Sequence, residues 1–195
     1  MHNIQDVKVK ICMTGDISVG KTSLVRRYVM DIFDDTYIAT LGTKISKKKV
    51  RLFKNNQTYH LTLSLWDVLG HDVFENMYSW AFEGAKAAML VCDLTREDTL
   101  KNVTNWITRV KNVAGDIPFI ILANKKDLKK DYEFDEDDLI AFSSELELQS
   151  YMTSAKSGEN VSPTFVRIGD MVLDNILTKG SKSFSFNSKE TKKND

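Results

Sequence analysis

The chain has 195 residues, which suits one domain with a full core and a short tail. Hydrophobic residues at 42% and charged residues at 28% are the ordinary balance of a soluble globular protein. Lys+Arg and Asp+Glu stand at 27 each, so the net charge points to neither a nucleic-acid partner nor an acidic substrate.

The charge is unevenly spread, with a basic stretch at 43–54 and an acidic one at 131–139. The N-terminus has no apolar signal core, and His2 stands where myristoylation needs glycine. No apolar run has the length of a membrane span, and the last residues include no cysteine for a prenyl group. The expectation is a cytoplasmic monomer whose membrane association, if any, comes through a partner and not through a lipidation motif in this chain. Cys12 and Cys92 sit in apolar runs and read as buried, reduced thiols.

In chain order, "VKVKICM" (7–13) alternates and then turns apolar, as an entering strand does. Leu24, Val25, Tyr28 and Val29 follow with helical spacing over 21–30, and residues 32–43 are polar and loop-like. "KISKKKVRLF" and "YHLTLSLW" flank the turn-rich "KNNQ", which predicts a hairpin. "KAAMLVCD" and "IPFIILAN" are continuous apolar runs, typical of parallel strands covered on both faces.

Between those runs, Leu100, Val103, Ile107 and Val110 describe one amphipathic helix. A further helix is predicted over 135–148 with Asp135 as N-cap, then a short strand at "SYMT". A last helix carries Val161, Phe165, Ile168, Val172 and Ile176. The alternation predicts a doubly wound α/β fold: a mostly parallel six-stranded sheet, one antiparallel edge strand, helices on both faces. Residues 1–179 form the folded domain; 180–195, Ser/Lys-rich with few apolar residues, read as a disordered tail.

"GDISVGKT" (15–22) satisfies G-x-x-x-x-G-K-[ST] between a predicted strand and a predicted helix. Small residues let successive backbone N–H groups curl around phosphate oxygens, and the helix adds its positive end. Lys21 can reach the β- and γ-phosphates, and the Thr22 hydroxyl can ligate Mg²⁺. The candidate phosphate contacts are Gly15, Asp16, Ile17, Ser18, Val19, Gly20, Lys21, Thr22 and Ser23. Asp67 ends the "LTLSLW" run and can support the metal, while Gly70 leaves its N–H free to approach a γ-phosphate. In "NKKD" (124–127), an ionised Asp127 can accept both donors that guanine presents side by side. Adenine lacks that pair, so the residue argues for GTP over ATP.

Gly15–Thr22, Thr40, Asp67–Gly70, Asn124–Asp127 and Ser154–Lys156 follow the order and rough spacing of the five G-motifs. On these residues the chain resembles the small GTPases of the Ras superfamily over about residues 7–178, which implies the P-loop NTPase fold. "YIATLGTKI" and Trp66 before Asp67 make it most similar to the Rab branch. The resemblance implies a switch binding GTP or GDP with Mg²⁺, hydrolysing GTP, and meeting effector, exchange and activating proteins through two switch loops. It implies metal contacts from Thr22, Thr40 and Asp67, with Tyr37 closing over the phosphates and Phe33 packing edge-on against guanine. Asn124 and Asp127 would read the base, the Ala155 N–H would meet its O6, and Lys125, Ser154 and Lys156 would line its pocket. Lys21, Thr40, Gly70 and the residue after Gly70 would serve catalysis.

The chain departs from the family in four places. Where the family has Asp-Thr-Ala-Gly-Gln, this chain has Val68, Leu69 and His71 at the variable positions, and His71 stands at the glutamine that orients the attacking water. Imidazole has a shorter reach and no amide, and a misplacement of about 1 Å costs roughly a hundredfold in such a step. Ile17 replaces a small residue and would crowd an arginine supplied by an activating protein. The hairpin is several residues longer than usual. The family's aromatic effector triad aligns with Ile45, Trp66 and Ala81, so two aromatics are gone, and Trp66 reads more readily as core than as contact. The expected function is a switch with slow hydrolysis; the alternative is a constitutively GTP-bound interaction module. A P-loop kinase is disfavoured by "NKKD" and "SAK". The Lys44–Arg51 run reads as edge-strand protection, or as a surface for an acidic partner.

Overall fold

The computed structural model describes residues 4–33, 43–68 and 79–190. Six strands form one sheet in the order β2-β3-β1-β4-β5-β6. They are β1 (Ile4–Thr14), β2 (Thr43–Lys54), β3 (Gln57–Val68), β4 (Ala87–Asp93), β5 (Phe119–Asn124) and β6 (Gln149–Met152). Every neighbouring pair is parallel except the hairpin β2–β3, which puts the basic strand at the open edge as expected. Asn55 and Asn56 both take positive φ (50° and 57°), the backbone that a two-residue hairpin turn requires and that asparagine tolerates.

The helices are α1 (Lys21–Met30), α2 (Ser79–Phe82), α3 (Glu97–Lys101), α4 (Val103–Ala114), α5 (Glu136–Glu145) and α6 (Val161–Glu190). α1 and α6 cover one face, packing Leu24, Val25, Tyr28, Phe165, Ile168 and Val172 on Val9, Ile11, Leu61, Leu63 and Met89. Tyr28 stacks on Phe165 at 4.2 Å between ring centroids. On the other face Phe82, Leu100, Val103, Trp106, Val110 and Leu139 pack on Leu90, Cys92, Ile121 and Ala123. Both cysteines are free and buried, as their apolar neighbours suggest.

Several local expectations hold for local reasons. β4 and β5 bury every residue, so their sequences do not alternate. Asp135 caps α5 by accepting from the N–H groups of Asp137 and Asp138, and Asp138 returns the bond to the Asp135 N–H.

Two expectations change. The single helix expected through Leu100 and Val110 is two, broken at Asn102. Tertiary bonds hold the break: the Asn102 side chain is drawn to Asp16 in the P-loop. The backbone of α6 also continues to Glu190, past the boundary that composition places at 180, so 180–190 is helical. No proline follows Pro163 in α6 to stop it, and its Lys, Ser and Glu residues do not forbid helix. Residues 191–195 lie outside the described residues. No helix among the described residues is long and apolar enough to cross a membrane.

Candidate functional site

The loop Gly15–Gly20 joins the end of β1 to the start of α1. Gly15 (φ 140°) passes so close to β4 that an added Cβ would lie 2.1 Å from the Val91 carbonyl oxygen. Gly20 (φ 99°) would carry a Cβ 2.2 Å from Asn124 Nδ2. Both sites therefore demand glycine, for space as well as for backbone angle. Gly20 caps α1 without a side-chain hydrogen bond, and no acidic residue occupies the first turn. The first helix amides and the positive helix end are thus left to an anion held by the loop.

Lys21 is 7% exposed, and its Nζ donates to the carbonyls of Gly15 (2.8 Å) and Asp16 (2.6 Å). Burial pulls its ammonium down to about 8, opposed by Asp67 and Asp16 and reinforced by the nearby charge of Arg96. An ammonium so placed gains strongly from a polyphosphate. β3 runs beside β1 in register Met13↔Asp67, which brings Asp67 to the loop. The Thr22 hydroxyl donates to Asp67 Oδ2. Asp67 Oδ1 is buried without a hydrogen-bond partner among the described residues. Burial raises the Asp67 pKa against the opposing Thr22 bond and the charges of Lys21 and Lys44. A buried, unpartnered carboxylate oxygen next to a hydroxyl is a hard-oxygen set that fits Mg²⁺. Among the described residues no group of three or more His, Cys, Asp or Glu could hold a metal ion by itself.

The base-side motifs emerge from the ends of β5 and β6, next to the same loop. Asn124 is 2% exposed and ties three motifs together: its Nδ2 donates to the Val19 carbonyl, and its Oδ1 accepts the Ala155 N–H at 3.2 Å. Asp127 is exposed, and its Oδ1 accepts from Ser154 Oγ at 2.6 Å, which orients the carboxylate outward. Lys125 has φ 69°, and its Nζ lies 2.5 Å from Asp93 Oδ2. Lys156 is exposed, while Ser154 and Ala155 are buried. Phe33 is half-buried against the core beyond α1, Ser23 half-buried on α1, and Ile17 37% exposed on the loop. Tyr37, Thr40, Gly70 and His71 lie outside the described residues.

Several supports escaped the sequence reading. Trp106 Nε1 donates to Asp16 Oδ1 at 2.7 Å, and Asn102 Nδ2 donates to the same oxygen, which locks α4 to the P-loop. Arg27 on α1 donates from Nε to the Ala155 carbonyl (2.8 Å) and from Nη2 to the Lys156 carbonyl (2.6 Å). Neither contact has a local pattern, since the partners lie 90 and about 130 residues apart. Trp66 is half-buried, meets Trp80 edge-on at 5.9 Å, and carries Lys10 Nζ 3.5 Å above its ring. Ala81 is buried, whereas Trp80, one residue earlier, is 47% exposed.

A glycine loop between strand and helix, a buried lysine inside it and a carboxylate–hydroxyl pair beside it define a P-loop nucleotide-binding protein. The family model "Ras family" matches residues 10–174, and the chain belongs to that family. It is 30% identical to the GTP-binding protein YPT52 of Saccharomyces cerevisiae, over 90% of this chain and 88% of that protein. It is 29% identical to the Ras-related protein Rab-13 of Canis lupus familiaris, over 93% and 87%. With the human Ras-related protein Rab-4A it shares 31% identity, over 90% and 79%. The chain is thus a Ras-superfamily GTPase of Rab type.

Proposed function

We propose that this chain is a guanine-nucleotide switch that holds GTP or GDP with Mg²⁺ and hydrolyses GTP slowly. The observation that carries the reading is the buried Asp67 Oδ1 without a partner among the described residues, set beside Thr22 in the first turn of the helix that Lys21 opens. Lys21 meets the β- and γ-phosphate oxygens, and Thr22, Asp67 and Thr40 hold the metal. Held there, Mg²⁺ would supply positive charge that offsets the charge developing on the phosphate oxygens. Asp127, held by Ser154, accepts the paired donors of guanine. Tyr37, Thr40 and Gly70 belong to the switch loops that γ-phosphate contacts order and that hydrolysis releases, so effectors, exchange factors and activating proteins meet the chain there.

Slow hydrolysis rests on His71, whose imidazole replaces the water-orienting amide, and on Ile17, whose side chain would crowd an arginine from an activating protein. Single-turnover γ-phosphate release tests it. His71→Gln is expected to raise the rate by tenfold or more, on the order of what a well-placed water is worth. Equal rates move the cause to Ile17 or Val68, and wild-type release as fast as in relatives with glutamine there sinks the reading. Purified protein carrying GTP favours the constitutively bound module, GDP a turning-over switch, and bound ATP overturns the guanine assignment. Residues 1–179 are the nucleotide-binding domain in this reading. In this reading the chain acts as a monomer in the cytoplasm, with no nucleic-acid partner.

A further inference from the structure

A residue outside all five motifs bridges the phosphate and base sides. Asp93 ends β4 with its side chain fully buried. Its Oδ1 accepts from the Thr95 N–H (3.0 Å) and hydroxyl (2.8 Å), and its Oδ2 meets Lys125 Nζ (2.5 Å) and Arg96 Nε (3.2 Å). The other end of the Arg96 guanidinium, Nη2, donates to the carbonyl of Ile17 in the P-loop at 2.8 Å. One planar side chain therefore joins the loop that would hold phosphate to the carboxylate that holds Lys125, a geometry that suits arginine and not lysine.

The bond falls where the loop needs it. Ser18, the next residue, takes φ 62°, a left-handed backbone that a non-glycine residue adopts at a cost. Such a conformation persists when its surroundings over-determine it. Here Arg96 fixes the carbonyl just before Ser18, and Asn124 fixes the carbonyl of Val19 just after it. Asp16 is pinned from the other side by Trp106 and Asn102. The Arg96 charge also bears on Lys21, though less than burial and the charges of Asp67 and Asp16 do.

We propose that Arg96 is a positioning residue for nucleotide retention: by holding Ile17–Val19 in the phosphate-cradling conformation it slows release of nucleoside diphosphate and triphosphate. The inference rests on the guanine-nucleotide reading of the site. Two kinds of loss separate its parts. Arg96→Met removes both the bond and the charge while keeping much of the side-chain volume; Arg96→Lys keeps the charge but cannot span both partners.

Release of fluorescent GDP, followed by stopped flow in the presence of Mg²⁺, is expected to quicken about tenfold in Arg96→Met, the scale of one charge-assisted hydrogen bond. Arg96→Lys should recover only part of that. Competition with GDP and GMP then locates the effect: Arg96→Met should weaken GDP more than GMP, because the bond acts on the loop that would embrace the β-phosphate. Unchanged GDP release overturns the proposal, as does equal weakening of GDP and GMP, which would place the effect at Lys125 and the base. If Arg96→Met does not fold, Arg96→Gln is measured in the same way and read by the same criteria. Wild-type protein that binds no guanine nucleotide would instead defeat the functional reading itself.

Discussion

The centre of the sheet and its hairpin edge are built on opposite principles. β4 and β5 have helices on both faces and bury every residue, whereas no residue of β2 is fully buried and β3 alternates. On the bare side of the hairpin, Lys47, Lys49 and Arg51 stand opposite Ser64, Thr62 and His60. The motifs follow the same division. The P-loop and the base-side loops leave strands of the buried centre or strands beside it, and cross-bonds from Asn124, Trp106 and Arg27 stiffen them. Segments 34–42 and 69–78, which carry the switch residues in the proposed reading, are attached to the hairpin instead.

The sharpest way to break this comparison is to remove equal aromatic mass from both regions. Phe165→Ala, in the core against Tyr28, is expected to cost about 3–5 kcal/mol in urea unfolding. The matching change on the hairpin comes last in size: Phe53, 68% exposed, should tolerate Ala within about 0.5 kcal/mol. Similar costs at the two sites would refute the division.

Between these lies the stiffening of the P-loop. Trp106→Phe keeps most of the buried ring but removes the donor to Asp16, and should cost about 2 kcal/mol of stability. GDP release should quicken with it; a stability loss without faster release would mean the bond serves the core alone.

A further effect depends on pH. Below about pH 8 Lys21 is charged in both folded and unfolded chains, and its burial costs stability. Between about 8 and its ordinary value of 10.5 the folded chain gives up the proton first, and the cost fades as pH rises. Nucleotide-stripped wild type, compared with Lys21→Met, should therefore gain stability across that window. A flat difference would show that burial does not govern this lysine.

Much of the fold was legible because its signals are local. Continuous apolar runs marked β4 and β5, the "KNNQ" turn marked the hairpin, and Asp135 with Asp138 marked the start of α5. The candidate site was legible wherever a motif needs a fixed spacing, as from Gly15 to Thr22. What stayed hidden depends on distant partners. Asn102 interrupts a helix whose periodicity predicts no interruption, because its side chain bonds to Asp16. Trp66, expected to be core, is half-buried under Lys10 and beside Trp80, a partner that spacing alone does not reveal.

The sequence by itself determined the class of fold and marked the candidate phosphate and base motifs, since both follow from periodicity and short-range spacing. Tertiary structure alone decided how those motifs are held. The buried Asp67 oxygen beside Thr22, the Asn124 tie and the Arg96 bridge each join residues that are far apart in sequence, and only the folded sheet brings their strand ends to one place.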